Sequence, residues 1–177
     1  LLNEEKKTGL SVDLQIQMDI LNSIWRSNSI NTKTLNNFIP MVDVSFSMDG
    51  LSKEIAIALG IRIAEKSTIG KRVMTFAERP SWVNLEPYND FVSMVEMVSK
   101  SVWGGTTNFY LALDMILDAA IQSKLSYEDI QDMVLVILSD MQINQADGSS
   151  TDNNILVDMI RKKYENIGMK HYGKPIK

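Results

Sequence analysis

The sequence predicts an α/β fold: an open, mostly parallel sheet with one short antiparallel edge strand and helices on both faces. Short apolar runs typical of buried strands alternate with longer segments of helical periodicity. The run MVLVILSD is apolar without alternation, which indicates a strand covered by helices on both faces. The chain has 177 residues, of which 45% are hydrophobic and 23% charged, so it is long enough for one domain with a full core.

The first half supplies three predicted strands. Residues 12–25 have the spacing of a helix, and the polar stretch SNSINTKTLNN then indicates a linker, with a domain boundary near residue 34. FIPMVDV predicts a buried strand in which Pro40, lacking an N–H, should stand near the start or at an unpaired position. After a turn at Gly50, LSKEIAIALGIRIAEKS predicts a helix and KRVMTF a second strand. Residues 81–86 should add the antiparallel strand.

The second half continues the alternation. NDFVSMVEMVSKSV predicts a helix capped by Asn89 or Asp90, and the glycine loop WGGTT leads into the helix NFYLALDMILDAAIQSK. That helix carries a core-facing stripe at Phe109, Leu113, Ile116, Leu117 and Ala120. MVLVILSD and the polar MQINQADGSST precede a last helix, capped by Asp152 or Asn153 and ended by Gly168. This order of elements is that of a Rossmann-like open sheet.

Composition excludes several classes of function. A net charge of −4 and no clustered cationic segment argue against direct binding of DNA or RNA by this chain. There is no cysteine and no apolar run of about 20 residues, so neither a disulfide framework nor a membrane span is expected. We therefore expect an intracellular, cytoplasmic protein without membrane contact.

Two acids stand where predicted parallel strands end. Asp43 closes FIPMVD and Asp140 closes MVLVILSD, and the carboxyl ends of parallel strands meet at one rim of the sheet. Alternation places Ser45 and Ser47 beside Asp43, and the glycine loop delivers Thr107. Two carboxylates and three hydroxyls are hard oxygen donors that suit Mg²⁺ or Mn²⁺. We expect these five residues to bind one cation, with a partner's carboxylate as a further ligand.

Three motifs in this order resemble von Willebrand factor A domains. VDVSFSM is similar to their DxSxS loop, GGTTNFYLAL to their threonine loop, and VILSD to the strand that ends in their third-loop aspartate. The resemblance implies a metal-ion-dependent adhesion site (MIDAS) and a protein-binding module without catalytic residues. It also selects Thr107 over Thr106, because the family's threonine stands five residues before a position matching Ala112. Phe46 departs from the pattern, since that position is commonly glycine or small.

Within this superfamily, PMVDVSFSMDG, WGGTTNF and LSDMQ most resemble the DUF2828 family and more distantly the A domain of Ro RNA-binding proteins. The resemblance implies that residues 35–177 form the A-like domain and that its last strand would lie beyond Lys177. It also implies that residues 1–34, a helix and a linker, could be the tail of a preceding helical region. RNA would then be reached only through other parts of a longer chain.

Other interpretations compete with this one. Asp43, Ser45 and Ser47 could form an ordinary strand-end turn, and the threonine could merely cap a helix. A structural domain of a ribonucleoprotein with a vestigial site is a second alternative. A magnesium-dependent phosphatase would need a second acid where Ser45 stands, and the single histidine, His171, is expected at the surface rather than in a catalytic triad.

Overall fold

The computed structural model describes residues 12–76, 79–101, 109–140 and 153–176. Its elements are α1 (Val12–Ser29), β1 (Phe38–Asp43), α2 (Leu51–Lys66), β2 (Arg72–Phe76), β3 (Ser81–Asn84), α3 (Phe91–Ser99), α4 (Phe109–Gln122), α5 (Tyr127–Gln131), β4 (Val134–Leu138) and α6 (Asn153–Tyr172). The predicted α/β class is confirmed. The short helix α5, which begins with a capping box between Ser126 and Asp129, was not predicted from the sequence.

The strands form one mixed sheet in the order β3-β2-β1-β4. β1 runs parallel to both β2 and β4, and β3 pairs antiparallel with β2 at the edge, as predicted. Pro40 lies inside β1 opposite Val136, and the pairing of β1 with β2 begins only at Met41. The proline is therefore accommodated on the side of the strand where the ladder to β2 has not yet begun.

Helices cover both faces of the sheet. Successive residues of β1 point to opposite sides, so each face presents apolar side chains that a helix can bury. On one face α2 and α3 pack on a cluster that includes Val42, Val44, Ile57, Ile61, Val73 and Val98. On the other face α4 packs on Ile39, Met41, Met74 and Phe76, with Ile160 and Tyr164 of α6 against the same cluster. Leu113, Ile116, Leu117 and Ala120 of the predicted α4 stripe are buried.

α1 is held against α2 and α3 by an aromatic and cationic sandwich. The Trp25 ring stacks on Phe91 of α3 with ring centroids 3.9 Å apart. The guanidinium of Arg62, on α2, lies 3.6 Å from the centroid of the Trp25 ring. The indole N–H donates to Glu65, and Lys66 donates to the backbone oxygen of Ser29. These contacts continue α1 to Ser29, beyond the predicted end at Trp25.

α3 begins at a double cap. Asp90, one of the two predicted caps, accepts a 2.9 Å hydrogen bond from the Ser93 amide, while Asn22 of α1 accepts one from the Val92 amide. Burial acts to raise the pKa of Asp90, but the hydrogen bonds from Ser93 and Asn22 outweigh it and leave the pKa lowered. The charged carboxylate is therefore the form that stabilises this helix end.

The predicted end of α6 at Gly168 is wrong, since the helix runs on to Tyr172. A Cβ at Gly168 would stand 2.5 Å from the Ile176 amide nitrogen, so this glycine serves a close approach of the backbone rather than a helix end. The helix stops one residue before Gly173, whose φ of +67° is left-handed. The segment after Gly173 folds back and buries Ile176.

β4 also departs from expectation. Its apolar run predicts burial on both faces, but Val134 and Ile137 are exposed by 41% and 37%. The reason is topological: within the described sheet β4 is an outer strand, with β1 as its neighbour. Across the described ranges, no helix is long and apolar enough to cross a membrane.

Candidate metal site

The topological switch point of the sheet lies between β1 and β4. β2 lies on one side of β1 and β4 on the other, so the loops that leave the carboxyl ends of β1 and β4 diverge and open a crevice. Asp43 is the last residue of β1, and Ser139 and Asp140 directly follow β4. The structure thus places two of the predicted site acids at the position where open α/β sheets bind ligands.

Asp43 is fully buried and both of its carboxylate oxygens accept hydrogen bonds. Oδ1 accepts from the Ser45 amide at 2.9 Å, and Oδ2 accepts from the Ser139 hydroxyl at 2.5 Å. The Val44 amide donates to the Phe76 oxygen and so continues the pairing of β1 with β2 for one residue. The chain therefore leaves the sheet only after Asp43. The side chain is held in one orientation from two strands.

Ser45 and Ser47 bring their hydroxyls together in the loop after β1. Their Oγ atoms lie 3.0 Å apart, with Ser45 buried and Ser47 exposed. The loop makes a 3₁₀ turn at Phe46–Met48, after which Gly50, at a φ of +86°, precedes α2. Asp43, Ser45 and Ser47 are therefore three oxygen-bearing side chains gathered by one tight loop, as predicted.

Asp140 is exposed beside the same loop. Its amide donates to the sulfur of Met48 at 3.2 Å, which holds the loop after β4 against the loop after β1. Thr107 and the alternative Thr106 lie outside the described residues, as does most of the glycine loop. Of the five predicted site residues, the structure links Asp43, Ser45 and Ser47 by hydrogen bonds. It places Asp140 at the neighbouring strand end, joined to their loop through Met48.

No cation compensates Asp43 within the described residues, because none of the ion pairs found there involves it. In the same ranges no three histidine, aspartate or glutamate side chains converge to hold a metal. A cation bound here would depend on two carboxylates plus hydroxyl oxygens. That donor set fits Mg²⁺ or Mn²⁺ chemically, since both prefer hard oxygen ligands.

Ser139 and Met48 are site residues that the sequence analysis did not find. The register of β1 against β4 pairs Val42 with Leu138, so the next residues, Asp43 and Ser139, become neighbours. A signal was present in the sequence, because Ser139 directly precedes Asp140. It could not be read without the register, which depends on packing rather than on local pattern.

Apolar side chains surround the crevice. Phe46 is 76% exposed, so its ring stands at the rim of the site rather than beneath the loop. Leu51, Ile55 and Leu59 form an exposed apolar stripe along α2 at four-residue spacing. A groove of about 330 Å³ lies between α2 and β4 and ends at Ser139 and Asp140. His171 is exposed on α6, as expected.

The chain is similar to a viral protein, "Uncharacterized protein L728" of Acanthamoeba polyphaga mimivirus, with 42% identity over 123 residues. The match covers 68% of this chain and 21% of that relative, so the chain spans about a fifth of the relative's length. No solved structure matches the chain significantly. A family described as a domain of unknown function, DUF7788, matches residues 37–175. Because this match covers most of its length, the chain belongs to the DUF7788 family.

Proposed function

We propose that this chain is a metal-ion-dependent protein-binding module of an intracellular protein, built as a von Willebrand factor A-like domain. In this proposal one Mg²⁺ or Mn²⁺ is held by Asp43, Ser45, Ser47, Thr107 and Asp140. A carboxylate from a protein partner completes the coordination. Thr107 enters on the sequence resemblance alone, and the other four on their positions at the crevice.

The buried carboxylate of Asp43 is the observation that carries the proposal. An ionised carboxylate removed from water is costly unless a cation or several hydrogen bonds compensate it. Asp43 has two hydrogen bonds and no ion pair with any described residue. A divalent cation beside it would supply the missing positive charge. The neighbouring serine hydroxyls are neutral ligands that add no further negative charge.

The surface around the crevice favours binding over catalysis. Exposed apolar side chains grouped in one place mark interaction surfaces more often than active sites. Here Phe46 and the exposed apolar stripe of α2 lie beside the site. A partner could therefore present an acidic residue to the metal while its apolar side chains cover this stripe.

Calorimetric titration of Mn²⁺ and Mg²⁺ tests the metal site. The wild-type chain should bind one ion, and Asp43→Asn, which keeps the shape but removes the charge, should bind none. Asp158→Asn on α6 is the matched control, because the Asp158 side chain is 63% exposed and far along the chain from the site residues. Metal at 100 times its Kd should raise the wild-type free energy of unfolding by about 2.7 kcal/mol.

Loss of binding must not be confused with loss of folding. Without metal, Asp43→Asn should be at least as stable as the wild type, because it no longer buries a charge. If wild type and Asp43→Asn titrate alike with both ions, the metal site does not exist. The chain would then be better described as a structural domain with a vestigial site.

The partner carboxylate is tested with acetate as its simplest mimic. Mn²⁺ bound to the wild-type chain should enhance the nuclear relaxation of the acetate carboxyl carbon, since the open position would bring that carbon close to the ion. Asp43→Asn should show only the relaxation caused by free Mn²⁺. Equal relaxation in both would mean that the bound ion has no position available to an external carboxylate.

A further inference from the structure

A second cavity lies at the opposite end of the sheet from the metal residues. It is lined by the start of β1 at Phe38 and Ile39, by residues that precede or open β2, and by the outer turns of α4. These are the amino ends of the parallel strands, whereas Asp43 and Asp140 stand at the carboxyl ends. The cavity is therefore separate from the proposed metal site and does not depend on it.

The walls of this cavity are mostly apolar, and its volume is about 210 Å³. Ile39, Ile69, Ile116, Leu125 and Met133 contribute aliphatic or thioether surface. An apolar cavity of about 150 Å³ holds a benzene-sized molecule, so this one has room for a small hydrophobic ligand. Apolar walls alone would not select among such ligands, and selection must come from polar groups.

Two side chains that carry polar groups stand in the wall. Trp82 lines the cavity, and its indole nitrogen is buried without a hydrogen-bond partner in the described structure. Because no group of the size of water can reach that nitrogen, Trp82 contributes its ring rather than its N–H to the cavity wall. Arg72 also lines the cavity, is exposed, and forms no ion pair with any described residue.

The strand register sets these two groups side by side. Arg72 of β2 pairs with Asn84 of β3, and Met74 pairs with Trp82, so Arg72 and Trp82 are diagonal neighbours on one face. Diagonal neighbours in an antiparallel pair have their Cβ atoms about 7–8 Å apart, within reach of a long side chain. The long Arg72 side chain can thus reach the part of the cavity that the Trp82 ring lines.

We infer that this cavity binds a small hydrophobic monocarboxylate, of which octanoate is a representative. The aliphatic tail occupies the apolar walls. The carboxylate pairs with the Arg72 guanidinium, a charge-assisted contact that a neutral ligand cannot make. The positive charge of Arg72, rather than the cavity size, selects the carboxylate.

Octanoate titration followed by ¹H–¹⁵N correlation spectra tests the inference in the full 177-residue chain. The indole N–H signal of Trp82, assigned by its disappearance in Trp82→Phe, should shift saturably. Arg72→Gln should weaken octanoate binding by about tenfold and leave 1-octanol binding nearly unchanged. Arg161→Gln, which alters an arginine that lines a different apolar cavity on α6, is the matched control and should change neither.

Blocking the cavity gives an independent readout. Ala119→Leu, which enlarges a side chain in the cavity wall, should abolish the shift for both octanoate and 1-octanol. The inference is overturned if octanoate leaves the Trp82 signal unchanged. It is equally overturned if octanoate and 1-octanol bind alike in wild type and Arg72→Gln, because the cavity would then accept apolar molecules without regard to charge.

Discussion

Ser139 is the residue that joins the two halves of the proposed metal site. Its hydroxyl donates to Asp43 Oδ2 across 96 positions of sequence and fixes the carboxylate from the side of β4. Removing the donor from a buried carboxylate oxygen costs more stability than removing it from an exposed one, because water cannot replace the lost hydrogen bond. Ser139 therefore holds the Asp43 carboxylate in its observed orientation.

Ser139→Ala should lower the free energy of unfolding by about 1–3 kcal/mol, since Asp43 Oδ2 is left without that donor. Urea denaturation measures the change. Ser27→Ala on α1 is the control, because its hydroxyl bonds an exposed helical backbone oxygen and its loss should stay within about 0.5 kcal/mol. Equal losses in the two variants would show that the contact with Asp43 contributes no particular stability.

Among the elements, α1 is attached to its neighbours by a few specific contacts. Trp25 lies between the Phe91 ring and the Arg62 guanidinium, and Asn22 supplies a hydrogen-bond acceptor to the first turn of α3. The helix buries no residue completely, so its attachment depends on these few polar and aromatic contacts. Removing Trp25 should therefore release α1 and uncap α3 together.

Trp25→Ala should cost about 2–3 kcal/mol of stability, below the roughly 3–5 kcal/mol typical of a fully buried tryptophan. Amide hydrogen exchange should show faster exchange at Val92, because Asn22 leaves with the helix. Ile24→Ala, an exposed neighbour on α1, should change neither quantity by much. If stability falls while Val92 exchange stays slow, the helix and the α3 cap are not coupled.

For the whole molecule, the outer position of β4 has the largest effect on behaviour in solution. An edge strand that presents apolar side chains and unpaired backbone groups is a template for association. β4 carries five apolar residues and no charge, and two of them are substantially exposed. Within the described residues β4 pairs with another strand on one side only, that of β1.

Ile137→Lys should reduce self-association of the 177-residue chain at high concentration, because a charge on an edge strand opposes pairing with a second copy. Light scattering as a function of concentration measures the effect. Leu111→Lys, which alters a similarly exposed residue on α4, is the control and should have little influence. A comparable reduction in both variants would attribute the effect to net charge instead of the strand edge.

Local pattern in the sequence was sufficient for most elements of this fold but not for their placement. The alternation of apolar runs and helical stripes predicted each strand of the described residues and the antiparallel edge. Placement depends on long-range pairing, which is why β4 was expected to be covered on both faces, whereas two of its side chains are substantially exposed in an outer strand of the described sheet. Gly168 was misread for the same reason, since only the fold-back of residues 174–176 explains it.

The candidate site divides in the same way. Asp43, Ser45 and Ser47 are close in sequence, so their meeting follows from one loop and could be predicted. Asp140 was placed by the rule that ligands sit at the carboxyl ends of parallel strands. Ser139 and Met48 join the site only through the β1–β4 register and the packing of two loops. Thr107 stays a prediction.

The fold-back after α6 determines how the protein would respond to tension. Ile176 is buried with residues of α4 and α5, and the Tyr127 hydroxyl donates to the Pro175 oxygen. A force applied to the chain beyond residue 176 would therefore act on these contacts before it reached α6 or the sheet. They would break first and leave the crevice between β1 and β4 intact.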